Sequence, residues 1–269
     1  MGYEIIVLDL DGTLTNDEKI ITLKTKEALM EMQRRGKRVV LASGRPTQGV
    51  SHLANELELN RYEGYVLSYN GGMSIDWKTG ETIFSRLLPL ESNRRIIELA
   101  AENGVNILTY EGDHIITATP EDQYAQLESR VNHMEIRQVE DMAGHMDFQV
   151  PKYLMLADGD YMASVEPKVQ EALGEGFSVY RSAPFFLEIL PMGIDKAKSL
   201  ARMLEVLGLT RENMIACGDG YNDLSMIQYA GLGVAMANAV PPVLEAAHFV
   251  TKSNNEDGIA HVIEKFILS

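Results

Sequence analysis

A handful of short, nearly continuous apolar runs constrains this chain more than any other feature. EIIVLDL at 4–10, RVVLA at 38–42, YVLS at 65–68, MIAC at 214–217 and VAM at 234–236 lack the polar alternation of a strand with one wet face. Runs of that kind suit strands covered on both sides, as in a parallel sheet with helices above and below. Helical patterns fill the gaps. One starts near Thr22, places Ala28, Leu29 and Met32 on one side and stops at Gly36. Another carries Ala197, Leu200, Met203, Leu204 and Leu207 at helical spacing and closes at Gly208. The expected fold class is therefore α/β, a doubly wound, Rossmann-like parallel sheet.

The middle of the chain follows another rhythm. Helices are expected at 92–103, 120–132 and 162–173, between strand-like pieces around 106–119, 153–158 and 177–190. NILTYEGD and HIITAT read as a hairpin joined at Gly112-Asp113, so this sheet is antiparallel or mixed. Residues 84–190 are thus expected to form an inserted α+β domain, within a core built from 1–83 and 191–269.

Composition narrows the function. With 45% apolar and 23% charged residues the chain is an ordinary globular one, and no apolar run approaches a membrane span. The formal net charge of −15 argues against general nucleic-acid binding, which needs a basic face. The single cysteine, Cys217, cannot form an internal disulfide; it reads as a core residue and fits a reducing cytoplasm.

In open parallel sheets ligands bind beyond the carboxyl ends of the strands. Those ends carry Asp9 and Asp11 after the first run, Ser43 after the second, and Asp219 and Asp223 after MIAC, while Lys196 opens a helix. Clustered carboxylates repel unless a hard cation neutralises them, and all-oxygen ligation suits Mg²⁺. The pattern points to phosphoryl transfer. Asp9 attacks phosphorus and forms an aspartyl-phosphate, and Asp11 serves as general acid and then general base. Lys196 and the Ser43 hydroxyl hold phosphoryl oxygens, and Asp219 is a second carboxylate ligand of the metal. An acidic chain needs such local positive charge to accept an anionic substrate.

DLDGT at 9–13, SGR at 43–45, Lys196 and GDGYND at 218–223 resemble the four motifs of the haloacid dehalogenase superfamily. Their order, with the long insertion between the second and third, resembles its Cof-type phosphatase branch. The resemblance implies a nucleophile at Asp9, an acid/base at Asp11, and Mg²⁺ held by the Asp9 carboxylate, the Asp11 main-chain carbonyl and Asp219. It implies phosphate contacts from the Leu10 main chain, Ser43, Gly44, Lys196 and Asn222, with Asp223 behind them orienting Lys196 or a metal-bound water. It also implies that the insertion is a mobile cap that selects the substrate. A small phosphorylated metabolite is the expected substrate, sugar phosphates first, then nucleotides, pyridoxal phosphate and flavin mononucleotide. Arg45, Asn70, Arg181 and Glu188 are further candidates for substrate contact, against a plain structural reading of each. A phosphomutase shares the motifs, and a phospho-aspartate signalling receiver shares the chemistry in a much shorter chain.

Overall fold

The computed structural model describes residues 2–269. The described residues divide into two compact units, 2–84 with 195–269, and 85–194. In chain order the elements are β1 (Ile5–Leu8), α1 (Leu23–Arg34), β2 (Arg38–Ala42), α2 (Thr47–Glu56), β3 (Tyr65–Ser68), β4 (Met73–Asp76) and β5 (Thr82–Ser85). The inserted unit holds α3 (Ser92–Glu102), β6 (Asn106–Glu111), β7 (His114–Thr117), α4 (Gln123–Asn132), β8 (Glu135–Gln138), α5 (Met142–His145), β9 (Tyr153–Leu156), α6 (Gly159–Leu173), β10 (Phe177–Ala183) and β11 (Phe186–Pro191). The first unit resumes with α7 (Lys196–Val206), β12 (Met214–Gly218), α8 (Leu224–Tyr229), β13 (Leu232–Ala235), α9 (Pro241–Ala246), β14 (Phe249–Val250) and α10 (Gly258–Phe266).

The core sheet runs β14-β13-β12-β1-β2-β3-β4-β5, parallel from β14 to β3, with β4 turned antiparallel against β3. Alternate side chains of β1 explain its lack of polar residues. Ile6 and Leu8 pack with Leu29, Met32, Leu53 and Ile263 on one side of the sheet. Ile5 and Val7 pack with Leu200, Met203, Met226 and Val243 on the other. All four side chains are at most 1% exposed, each stabilising the fold by about 1.5–3 kcal/mol. The sheet is doubly wound. β1 lies between β2, the next strand in the chain, and β12, which follows the insertion, so the strand order reverses at β1. That reversal opens a crevice at the carboxyl ends of these three strands.

The inserted unit is a six-stranded mixed sheet, β10-β11-β9-β6-β7-β8, antiparallel except where β8 runs alongside β7. The β6–β7 hairpin turns at Gly112-Asp113, with Gly112 at φ 61°. Helices α3, α5 and α6 bury Ile96, Leu99, Met142, Met162 and Val165 against one face of this sheet. Several expectations are corrected here. The stretch 177–190 is a hairpin, β10 and β11, interrupted at 184–185. Helix α6 begins at Gly159 rather than 162, because the Asp158 side chain caps Asp160 N. Strand β8 and the short α5 were not foreseen. The second unit boundary falls after residue 194 rather than 190: β11 runs through Pro191, and the chain turns at Gly193, φ 77°, before Asp195 caps α7. Among the described residues no helix is long and apolar enough to cross a membrane.

Candidate active site

Asp9 follows β1 immediately. Its amide donates to the Cys217 carbonyl of β12 at 3.1 Å, continuing the parallel ladder by one residue. The chain then bends tightly, with Thr13 N and Thr15 N both donating to the Leu10 carbonyl and Leu14 N donating to that of Asp9. Gly12 has φ 85°, and a Cβ there would collide with the Asp219 carboxylate. Only glycine lets the backbone take this shape so close to that acid.

Lys196 is the hub of the site. It is the first residue of α7 and 1% exposed. Its ammonium donates to Asp9 Oδ1 at 2.6 Å, Asp223 Oδ1 at 2.6 Å and the Ala42 carbonyl at 2.9 Å. Three donors meet three acceptors, which is the condition for burying a lysine. Asp223 is itself fixed: its Oδ2 accepts from the amides of Asp219 and Gly220 at 3.0 and 2.9 Å. Asp219 accepts the Thr13 hydroxyl at 2.7 Å on Oδ1. The structure thus joins Asp9, Lys196, Asp219 and Asp223, residues far apart in the chain, in one place.

The electrostatics of this group ask for a cation. Asp9, Asp219 and Asp223 each offer an oxygen within 4.8 Å of the others. Three carboxylates against the one ammonium that pairs with Asp9 and Asp223 leave two negative charges uncompensated. Burial, and then the negative charge of neighbouring Asp223, push the Asp9 carboxyl up to about 8 against the pull of Lys196. Burial likewise raises Asp219. Burial works against the Lys196 charge, but Asp223 and Asp9 overrule it and hold its pKa above the ordinary lysine value. A divalent ion held by Asp9 and Asp219 would cancel the excess and favour the carboxylate form of Asp9. Asp223 holds Lys196 through Oδ1 and the Asp219 and Gly220 amides through Oδ2. The donor set is all oxygen and fits Mg²⁺.

Asp11 stands apart. Arg45 grips it through Nε–Oδ2 at 2.9 Å and an Nη2–Oδ1 contact at 2.8 Å, and Lys19 adds 2.8 Å on Oδ1. Burial acts against ionisation, yet Arg45 and Lys19 outweigh it and hold Asp11 below the usual carboxylate range. Ser43, 3% exposed, ends β2; its Oγ accepts from Arg45 N at 3.1 Å and its carbonyl from Asn70 N at 2.9 Å. Asn70, at φ 56°, accepts from Asn222 Nδ2 at 3.0 Å, and a Cβ on Gly44 would press on its amide at 3.1 Å. Asn70, Gly44 and Asn222 therefore meet on one rim.

The two candidates in the inserted unit part company. Arg181 pairs with Glu166 of α6 at 2.9 Å, on the sheet face that the helices cover. Glu188 belongs to the opposite face and pairs with Lys152 at 3.2 Å. Sequence reasoning missed Lys19 as a partner of Asp11 and Asn238, which donates to the Gly12 carbonyl at 2.8 Å. Neither lies in a recognisable pattern. Thr13 was visible within DLDGT, but not its bond to Asp219.

Comparison with known proteins agrees with this geometry. The family model described as haloacid dehalogenase-like hydrolase matches residues 6–263. The chain is similar to YxeH of Bacillus subtilis, a protein provisionally named a phosphatase, at 33% identity over 99% of both chains. It is 48% identical to a haloacid dehalogenase-like hydrolase of Bacteroides thetaiotaomicron whose crystal structure superposes with a TM-score of 0.95, over 98% of this chain and 99% of that one. The solved structure of the subclass IIB sugar phosphatase BT4131 is 25% identical, with a TM-score of 0.81 and 98% of both chains covered. The chain belongs to the haloacid dehalogenase-like hydrolase family, within its Cof-type branch, and is a phosphatase.

Proposed function

We propose that this phosphatase hydrolyses a sugar or sugar-alcohol phosphate through an aspartyl-phosphate on Asp9, with Mg²⁺ as cofactor. The observation that carries the reading is the buried Lys196 ammonium, bonded at 2.6 Å to both Asp9 and Asp223 beside Asp219. It fixes the attacking carboxylate and supplies positive charge where a phosphoryl group accumulates negative charge.

An Asp9 carboxylate oxygen attacks phosphorus as the bond to the leaving oxygen breaks, and the Asp11 carboxyl gives that oxygen its proton. Water then attacks the aspartyl-phosphate, Asp11 takes its proton, and phosphate leaves as Asp9 is regenerated. The ion pairs with Arg45 and Lys19 leave Asp11 ionised, ready for the second step. To act as the acid of the first step it must carry a proton and part from those cations. The Leu10 main chain, Ser43, Gly44 and Asn222 position the phosphoryl oxygens with Lys196. The residues that would hold Mg²⁺ are the Asp9 carboxylate, the Asp11 carbonyl and Asp219. When bound, it supplies Lewis-acid stabilisation of the phosphoryl oxygens.

The substrate class rests on two relatives. One is the sugar phosphatase already described. The other is YcsE of Bacillus subtilis, 30% identical over 100% of this chain and 97% of its own length, a 5-amino-6-(5-phospho-D-ribitylamino)uracil phosphatase. Each handles a phosphate ester of a polyhydroxylated carbon chain. The inserted unit acts as a cap that reads the leaving group and excludes bulk water during attack. A phosphate-release screen over metabolite monoesters, with and without Mg²⁺ and beside Asp9→Asn, tests the reading. Activity is expected to need the metal and to vanish in the variant. Turnover by Asp9→Asn, or interconversion of isomers without phosphate release, refutes it.

A further inference from the structure

The face of the cap sheet opposite α3, α5 and α6 carries a buried ion pair. Lys152, just before β9, and Glu188, in β11, are 3% and 5% exposed, and Lys152 Nζ lies 3.2 Å from Glu188 Oε1. Glu188 Oε2 is buried and accepts no hydrogen bond. Burying two charges takes several kcal/mol of hydration from each, and attraction repays this only when every lone pair is satisfied. An apolar pair would serve a purely structural role better. A buried acceptor without a donor needs a reason.

The surroundings hold these two groups still. Lys152 sits over the ring of Tyr110, its Nζ 5.9 Å from the centroid. The Tyr110 hydroxyl donates to Glu128 Oε1 at 2.7 Å, and Asn132 Nδ2 donates to the same oxygen at 2.7 Å. Glu188 stands between Leu154 on β9 and Tyr180 on β10 in the strand register. A fixed acceptor beside a fixed ammonium matches two neighbouring hydroxyls, one donating to the carboxylate and the other accepting from the lysine.

We propose that Glu188 and Lys152 form a hydroxyl-reading site of the cap, which takes a vicinal diol of the leaving group with one hydroxyl on Glu188 Oε2 and its neighbour on the Lys152 ammonium. This rests on the sugar-phosphate reading above and narrows it to esters with adjacent free hydroxyls. It also assigns selection to β9 and β11 rather than to Arg181, which is tied to α6.

The test compares Glu188→Gln with the parent protein on sorbitol 6-phosphate, ribose 5-phosphate and p-nitrophenyl phosphate, the last having no hydroxyls to read. Glu188→Gln keeps the shape and removes the charge. The parent is expected to turn over at least one of the polyol esters. The variant is expected to lose about 10- to 100-fold in kcat/KM on that ester, the worth of one hydrogen bond to a charged group, and to retain p-nitrophenyl phosphate hydrolysis within about twofold. An equal loss on both kinds of ester, or no loss on either, overturns the site while leaving the phosphatase reading intact. Hydrolysis of p-nitrophenyl phosphate by the parent with none of either polyol ester overturns the sugar-phosphate reading and this inference with it. If Glu188→Gln does not fold, as judged by circular dichroism, Lys152→Met is read by the same criteria.

Discussion

Replacing Lys196 with methionine removes the one cation shared by Asp9 and Asp223 and keeps most of the side-chain volume. Three hydrogen bonds disappear, two of them to carboxylates, and the acids are left facing each other out of water. Removing one partner of a buried ion pair destabilises by about 3–5 kcal/mol. At about 2–4 °C per kcal/mol, the melting temperature should fall by roughly 6–20 °C. The loss should depend on pH with a definite sign. Asp9 already sits at about 8 in the parent protein. Without the ammonium it moves higher, and a carboxylate raised on folding contributes stability that is lost as pH rises toward its folded value. The deficit should therefore be larger at pH 8.5 than at pH 5.5, because Asp9 is protonated in both proteins at the lower pH and only the variant goes on losing stability above about pH 8. Thermal unfolding by circular dichroism in EDTA at both pH values measures it. A deficit below about 1 kcal/mol, or one equal at the two pH values, would refute the picture of Lys196 as the counter-ion of two buried acids.

Four other outcomes follow from the same geometry. Asp9 at about 8 means that the metal-free protein holds a proton at pH 7 that bound Mg²⁺ must displace, so calorimetry in buffers of different ionisation enthalpy should show release of about one proton per ion. The same linkage makes the metal-free protein less stable as pH rises from about 4 to 8, a slope that saturating Mg²⁺ should flatten in melting curves. Gly12→Ala forces a Cβ into the Asp219 carboxylate at φ 85°, and Mg²⁺ affinity by calorimetry should drop about 5- to 150-fold, from strain of about 1–3 kcal/mol at that position. Asp11→Asn should abolish turnover yet accumulate phosphoenzyme from an ester with a good leaving group, detectable by intact-protein mass spectrometry.

The core sheet and the convergence of Asp9, Lys196 and Asp219 were legible because each follows from a strong local signal. An apolar run ends at Asp9, MIAC ends just before the GDGYND loop, and a helical pattern starts at Lys196. The depth of Lys196 was not legible, since a lysine opening a helix is usually exposed and only Asp223, Asp9 and the Ala42 carbonyl make burial tolerable. Strand β8 escaped because EIRQ is mostly exposed at a sheet edge, where packing imposes little pattern. The opposite placements of Arg181 and Glu188 depend on the β10–β11 pairing, and a shift of one residue would exchange them. The grip of Arg45 and Lys19 on Asp11 depends on the conformation of the loop that follows it. No spacing rule encodes that.

The central position of β1 has a consequence for how the protein comes into being. Its neighbour β12 lies beyond the insertion, and the bond from Thr13 to Asp219 joins residues 206 positions apart. During synthesis Asp9 is therefore made among the first residues, while Lys196 and Asp219 arrive only in the last third of the chain. Until then one long edge of β1 has no strand beside it, and contacts over such separations form slowly. On the proposed mechanism, a nascent or truncated chain that stops before residue 219 lacks the acid that partners Asp9 and is expected to hydrolyse no phosphate ester.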